Sequence, residues 1–365
     1  MTAWPNAIRI LDLAGGARAL NNPGPKVTVF PTVKGEAAEY EIKTYGELIQ
    51  SIRRAGLAVV GNEFIDDPDE IAGLRESDWR AVYDPMGDAR WPSDDIQQLW
   101  SQIGHAAGGL DRMSIFEKAG HIAIQLRVCT KRLQDFCYRH HRHLVALCRA
   151  GDFKPGHRMD GRFSDDIFIS AHAAFGELAS LRDHLAIFVA REILGISNAN
   201  VDSMVKLVDH RDFKSSVHPV ADAIRAAGNW LSLFADYRNL IVHNAPLAAV
   251  NGRIAILQFE QPTRNGVPLA GVSLLLPPNP GQLRAALRSN SGPSSFKAWV
   301  EIVREATPNG PDALTYVHEV LGHFLRLAKL IGEHSPVPPQ MVHITDADVI
   351  GEIKIERRVI PPLKI

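Results

Sequence analysis

The feature that most limits how this chain can fold is a long series of apolar residues at helical spacing between Ile115 and Leu147. Ser114 and Glu117 form a capping-box sequence at its start, and the predicted helix has roughly nine turns. Because a helix of this length can bury its apolar face only against other long helices, the sequence predicts a helical bundle. The apolar positions of the period are Ile115, Ala119, Ile122, Leu126, Cys129, Leu133, Phe136, Leu144 and Leu147.

Further periodic stretches supply partners for this helix. They predict a helix at about residues 168 to 194, a short helix at 201 to 208, and a last helix from Pro311 to Ile331. Another helix begins near Ile224 and ends at Pro246, because proline cannot continue a helix. Long and short helices in this order are typical of an antiparallel bundle.

Arg238 stands out in the helix that precedes Pro246. Apolar residues recur along that helix with helical spacing, and position 238 is the missing member of the series. A buried guanidinium costs several kcal/mol unless it is paired or faces a polar cleft, so Arg238 is predicted to have a specific role. The apolar members of the series are Ile224, Ala227, Leu231, Phe234 and Ile241.

Asn239 and His243 surround this arginine with further polar groups. They lie four residues apart, so a helix places them on one face, and the long side chain of Arg238 reaches the same region. The set suits a phosphodiester, because arginine binds phosphate oxygens in a bidentate manner and histidine transfers protons near neutral pH. Pro246 ends the helix close to His243, which leaves the cluster at a helix end that opens to solvent.

These residues resemble the sequence motif of the HEPN superfamily, in which an arginine and a polar residue, preferably asparagine, precede a histidine by a few positions. The resemblance covers roughly residues 112 to 246, with 311 to 332 as a further part. It implies a helical bundle that usually dimerises and forms a metal-independent endoribonuclease site without a cofactor, often in host defence or in a toxin system. In that mechanism His243 moves protons, Arg238 stabilises charge on the phosphorane, and Asn239 holds the phosphate or orients His243.

Three other interpretations of the motif stay open. Some HEPN members only bind, so Arg238 and His243 could grip a nucleotide or an RNA end without cleaving it. Alternatively, an Arg and a His in a final helical turn can simply satisfy the terminal carbonyls. In a structural interaction protein, Arg238 would instead pair with Glu177 or Asp183 on the neighbouring helix.

The charge distribution indicates where RNA would bind. The formal net charge is only -1, but residues 61 to 100 contain eleven acidic residues and three arginines, whereas residues 112 to 162 contain eleven Lys or Arg and four acidic residues. A polyanion should prefer the second segment. The predicted RNA contacts are Lys131, Arg132, Arg139 and Arg142, although cations on this flank are also typical of a solvated helix surface.

Cysteine usage and hydropathy predict a cytoplasmic protein. Cys129, Cys137 and Cys148 are odd in number and widely spaced, which favours reduced thiols over disulfides. The N-terminus lacks the basic and apolar regions of a signal peptide, and no run of about 18 apolar residues could span a membrane. The sequence therefore predicts RNA and a second copy of the chain as partners, and no membrane.

The overall prediction is a mainly α protein with a HEPN-like antiparallel bundle, an N-terminal α+β domain and a small β insertion. The N-terminal domain is expected over residues 1 to 110, with strands at 26 to 33, 39 to 43 and 57 to 60, and the bundle over 111 to 335. The β insertion is expected at about 246 to 278, and residues 336 to 365 read as a strand-like tail.

One further pattern resembles a metal motif but lacks its spacing. His318 and His323 flank a glutamate in the last helix, yet they are five residues apart, whereas a zinc-protease helix needs two histidines four residues apart. No metal site is predicted.

Overall fold

The computed structural model describes ten stretches of the chain, and its helices and strands are numbered within them. These stretches are residues 6–84, 91–159, 162–197, 200–243, 249–250, 253–254, 256–264, 266–288, 310–341 and 360–364. The helices are α1 (Leu48–Arg54), α2 (Pro68–Ile71), α3 (Pro92–Gly109), α4 (Met113–Ala150), α5 (Arg162–Phe188), α6 (Met204–Asp209), α7 (Arg211–Ser215), α8 (Pro219–Ala226), α9 (Gly228–His243), α10 (Pro280–Arg288) and α11 (Ala313–Glu333). The strands are β1 (Ile8–Leu13), β2 (Arg18–Asn21), β3 (Lys26–Phe30), β4 (Ala38–Glu41), β5 (Val59–Ile65), β6 (Asp78–Ala81), β7 (Arg158–Met159), β8 (Ala249–Val250), β9 (Arg253–Ile254), β10 (Ile256–Gln261) and β11 (Leu269–Ser273).

The first six strands form one antiparallel sheet in the order β4-β3-β2-β1-β5-β6. The central strand β1 pairs with β2 on one side and with β5 on the other, so that Leu11 lies opposite both Ala19 and Asn62. One face of the sheet joins the main hydrophobic core through residues such as Leu11 and Val29. The other face carries a small apolar cluster of Ile8, Leu20, Ile65 and Ile360.

The helix α4 is the centre of the helical part and confirms the predicted long helix. It contains 38 residues, and it packs against α3 and α5, while α11 contacts all three of these helices. The indole of Trp100 in α3 donates to the carbonyl of Ala328 in α11 at 3.2 Å. The predicted capping box is wrong, because Arg112 precedes the first helical residue and the Ser114 hydroxyl donates to Glu192 at 2.7 Å instead.

The prediction of a mainly α protein is wrong, since the chain is a mixed α+β protein. The six-stranded sheet shares one continuous hydrophobic core with the helices, in which Leu11 and Val29 belong to the same cluster as Phe136 and Leu144. Strands β1, β2 and β6 were not predicted from the sequence. Strand β1 is buried on both faces and therefore lacks the alternation of a half-buried strand, and β2 is likewise buried at three of its four positions.

The smaller sheets agree in part with the predicted β insertion. Strands β8 and β9 pair as a short hairpin, and β10 pairs with β11. A strand from the connection between α4 and α5 joins the other edge of β10, with Met159 opposite Ile256. Most of the strand-like tail predicted at 336 to 365 lies outside the described residues, which there are 336–341 and 360–364.

The residues from Ile360 to Lys364 return to the N-terminal sheet. The backbone N–H of Leu363 donates to the side-chain oxygen of Asn22 at 3.0 Å, and the Asn22 amide donates back to the Leu363 carbonyl at 3.1 Å. Among the helices that the structure describes, none combines the length and the apolar character that a membrane span requires.

Candidate functional site

The helix that carries the motif is shorter than predicted. The predicted helix from Ile224 is two helices, because α8 ends at Ala226 and α9 starts at Gly228. Tyr237 occupies the core position that the periodicity assigned to Arg238, with 1% of its surface exposed. Its hydroxyl donates to the carbonyl of Pro277 at 2.6 Å, so the one polar atom of this side chain is satisfied inside the core.

Arg238 is therefore a flanking residue of α9 and is only half-buried. Its Nη1 atom donates a hydrogen bond to Oδ1 of Asn239 at 3.1 Å. Because this bond uses the oxygen of the amide, Nδ2 is the donor end of Asn239. A guanidinium and an amide with donor groups thus lie side by side on the last turns of α9, which is the chemistry expected of a phosphate-binding pair.

His243 is the last residue of α9. Since α9 is helical from Asn239 to His243, the backbone places these two positions on one helix face, as the spacing predicted. The side chain of His243 and residues 244 to 248, including Pro246, lie outside the described part of the chain. The approach of the imidazole to Arg238 and Asn239 remains a prediction.

The two carboxylates considered as structural partners of Arg238 bind other groups. Glu177 accepts a hydrogen bond from Nε2 of Gln125 at 2.8 Å and lies 3.6 Å from the guanidinium of Arg132. Asp183 pairs with Arg182 at 2.8 Å and accepts from the backbone N–H of Met204 at 3.2 Å. Each carboxylate is thus neutralised by a different arginine.

The predicted RNA-binding cations of α4 are mostly engaged in ion pairs. Lys131 lies 3.1 Å from Glu76, and Arg139 lies 3.3 Å from Asp135 and 3.5 Å from Asp166. Arg132 pairs with Glu177 as above, and Arg142 is exposed. Pairs this exposed contribute roughly 0 to 1 kcal/mol each, so RNA phosphates could replace the carboxylates at little cost.

The contact between Lys131 and Glu76 also relates the two charged segments of the sequence. Glu76 belongs to the acidic stretch that precedes β6, and Lys131 lies in the basic half of α4. The acidic segment therefore reaches the basic helix through at least one ion pair. Both side chains are well exposed, at 85% for Glu76 and 46% for Lys131, so the contact is at the surface.

Two of the four histidines of α4, His140 and His143, are structural residues. His140 is fully buried, and its Nδ1–H donates to the Phe136 carbonyl at 2.9 Å. Burial lowers the pKa of His140, and it lowers the pKa of His143 to about 4. Both imidazoles are therefore neutral at physiological pH and belong to the core rather than to an RNA surface.

The histidines of α11 face different neighbours. His318 stacks on Tyr83 with ring centroids 4.5 Å apart and donates from Nε2 to the Val82 carbonyl at 2.9 Å, while burial lowers its pKa to about 4. His323 stacks on Trp230 at 5.1 Å. Within the described stretches, no three His, Cys, Asp or Glu side chains are grouped as a metal site would require.

Comparisons of the chain with protein-family models, with curated proteins and with solved structures found no match. The resemblance to the HEPN superfamily therefore rests on Arg238, Asn239 and His243 and on the long helices that precede them.

Proposed function

We propose that this protein is a metal-independent endoribonuclease whose site is at the C-terminal end of α9. The observation that carries the proposal is the hydrogen bond between Arg238 and Asn239 on a half-buried flank of α9, one helical turn before His243. Because Tyr237 fills the core position, the packing of α9 does not require an arginine at 238.

The proposed reaction is attack by the RNA 2′-hydroxyl on its own phosphodiester. The bond from phosphorus to the 2′ oxygen forms as the bond to the leaving 5′ oxygen breaks, which leaves a 2′,3′-cyclic phosphate and a 5′-hydroxyl. His243 transfers a proton in this step, and Arg238 with Asn239 stabilises the charge that develops on the phosphorane. A positioned acid-base group and a charge clamp are each worth about 10² to 10³ in rate or more.

A homodimer would complete such a site. One motif supplies a single imidazole, whereas the reaction needs one proton removed and another delivered, so the proposal includes a two-fold partner that brings a second His243. The basic half of α4 is the proposed path for the RNA strand. A cytoplasmic setting agrees with the three free thiols and would suit a role in host defence or in a toxin system.

The test is cleavage of single-stranded RNA by the purified protein in excess EDTA. The expected products carry 2′,3′-cyclic phosphate ends, and His243→Ala should remove the activity. The matched control is His105→Ala, because His105 is exposed on α3 and should not affect cleavage. A wild-type protein that leaves RNA intact, or a His243→Ala variant as active as the control, would contradict the proposal.

A binding module is the second candidate, and the same Arg238–Asn239 pair favours it. Guanidinium and amide donors hold phosphate oxygens whether or not a histidine transfers protons. In that case the wild-type protein would bind an RNA oligonucleotide without cutting it, and Arg238→Ala would weaken the binding.

A further inference from the structure

A cavity of about 270 Å³ lies between the N-terminal sheet, the C-terminal half of α4 and residues 363–364. Its size is near the lower end of the range for small-molecule sites. None of the motif residues of α9 lines it. Most of its wall is apolar and comes from Ile10, Leu20, Phe30, Pro31, Val145 and Leu363.

His141 provides a polar group in this apolar wall. Its Nδ1 atom lies 2.9 Å from the carbonyl oxygen of Gly16, and because a carbonyl can only accept, Nδ1 carries the proton. Burial and the nearby Arg18 cation lower the pKa of His141 to about 4, so the ring is neutral and Nε2 is an acceptor. The ring packs edge-on against Phe30 with centroids 5.3 Å apart, which fixes its orientation.

The backbone that holds His141 is itself constrained. Gly16 has a φ of +88°, and a Cβ atom at this position would lie 2.8 Å from the carbonyl carbon of His140. Only glycine allows this turn to approach α4 closely enough for the bond to His141. The acceptor in the cavity wall is therefore preorganised by the contact between the sheet and the helix.

Cations line the polar side of the cavity. The positive charge of Arg18 is neutralised by Asp12, whose Oδ1 atom lies 2.7 Å from Nε of Arg18. Arg149 and Lys364 form no ion pair within the part of the chain that the structure describes, and Glu36 is the one carboxylate among the described lining residues. Two cations against one acid leave an excess of one positive charge around the cavity.

Residues 360 to 364 hold the outer wall in place. The two hydrogen bonds between Asn22 and Leu363 fix the backbone beside Lys364, and Ile360 is buried against Ile8 of the sheet. Leu363 and Lys364 therefore line the cavity although they are more than 300 residues away in sequence from the lining residues of the N-terminal sheet.

The geometry points to a binding site for a small organic monoanion with an apolar body. One carboxylate would match the excess positive charge at Arg149 and Lys364, and the apolar wall would take a ring or a short alkyl chain. A hydroxyl or a ring N–H of the ligand would donate to Nε2 of His141. This site uses other residues than the proposed nuclease motif, so each can be tested without the other.

The experiment is a binding titration with three probes and their neutral amides. The probes are 6-hydroxy-2-naphthoate, indole-3-carboxylate and octanoate, which differ in body shape but share one carboxylate. We expect the full-length protein to bind at least one acid and to bind its amide about tenfold more weakly, because the amide lacks the charge-assisted contact. Calorimetry or, for the naphthoate, fluorescence gives the Kd.

Variants then assign the binding to this cavity. Arg149→Ala should weaken binding of the acid about tenfold, and Val145→Phe should abolish it by filling the space. Arg127→Ala is the matched control, since Arg127 is exposed on the same helix but does not line the cavity, and it should leave the Kd unchanged. Circular dichroism checks that each variant is folded.

Three results would overturn the assignment. The first is a wild-type protein that binds none of the acids. The second is equal affinity for an acid and its amide, and the third is a loss of affinity in Arg127→Ala as large as that in Arg149→Ala.

Discussion

The central helix α4 and the end of α9 both carry cations and histidines that suggest a functional site, but these residues have different packing environments in the two helices. On α4, His140 is buried in the core, and Lys131 is paired with a carboxylate from a distant segment. On α9, Tyr237 takes the core position, while Arg238 stays on the flank beside Asn239. His140 of α4 is therefore part of the core, whereas Arg238 and Asn239 are half-buried residues on the flank of α9.

This difference shows that residue type alone does not identify a site. The α4 segment contains more histidines and cations than the end of α9, yet His140 and His143 are in the core and most of its predicted RNA-binding cations are in ion pairs. On α9, by contrast, Tyr237 rather than Arg238 fills the core position. Substitution of Tyr237 should therefore change stability, whereas substitution of Arg238 should change activity.

The largest expected effect on stability separates two adjacent residues of α9. Tyr237→Ala should lower the free energy of unfolding by about 3 to 5 kcal/mol, because it leaves a cavity in the core and removes the bond to Pro277. Arg238→Ala should cost about 1 kcal/mol, as expected for the loss of a hydrogen bond at a half-buried site. Urea unfolding of both variants measures the difference. Equal losses would mean that Arg238 supports the core after all.

The next effect concerns the pH dependence of stability on the α4 side. The folded pKa of His141 is lowered to about 4, below the usual value near 6.5, so the unfolded chain takes up a proton that the folded chain does not. The contribution of neutral His141 to the free energy of unfolding is complete above pH 6.5 and is lost as the pH falls towards 4. At pH 5 the loss is about 2 kcal/mol.

His141→Asn tests this effect, because the asparagine amide can still donate to the Gly16 carbonyl but does not titrate. Between pH 8 and pH 5 the variant should lose about 2 kcal/mol less stability than the wild type. His105→Asn on α3 is the control, since its ring is exposed. If both variants follow the wild-type pH curve, the neutral buried imidazole is not what makes the fold acid-sensitive.

The smallest expected effect is that of the ion pair between Lys131 and Glu76. A double-mutant cycle with alanine at both positions should give a coupling of about 0.5 kcal/mol that disappears at high salt, because both side chains are exposed. The pair of Lys206 in α6 with Asp202, which precedes that helix by two residues, is the local comparison. A coupling above about 2 kcal/mol would contradict this expectation and would mean that the pair behaves as a buried ion pair.

The sequence predicted the long helices better than the sheet, and the reason lies in particular elements. Helices α4 and α11 bury one face along many turns, so a single periodicity defines each of them. Strand β1 is buried on both faces and has no such signal. The sequence also predicted one helix where the structure has two, because the apolar spacing continues across the break at Ala227 between α8 and α9.

The candidate site was predictable only as far as local spacing determines it. The neighbours Arg238 and Asn239 do interact, but the assignment of the core position to Arg238 was wrong, because periodicity does not distinguish position 237 from position 238. The pair of Lys131 with Glu76 and the cavity beside His141 join segments that are far apart in sequence. The opposite charges of the two segments are visible in the sequence, but the pairing of these two residues and the position of the cavity depend on the fold.

The most direct test of the nuclease proposal is the single-turnover rate of RNA cleavage by Arg238→Ala, measured on a sample whose stability is also determined. Arg211→Ala is the matched control, because the Arg211 side chain is 94% exposed on α7. We expect a rate at least about 10²-fold below wild type, with stability within about 1 kcal/mol of it, and a control that cleaves normally. An Arg238→Ala protein that cleaves RNA at the wild-type rate would contradict it.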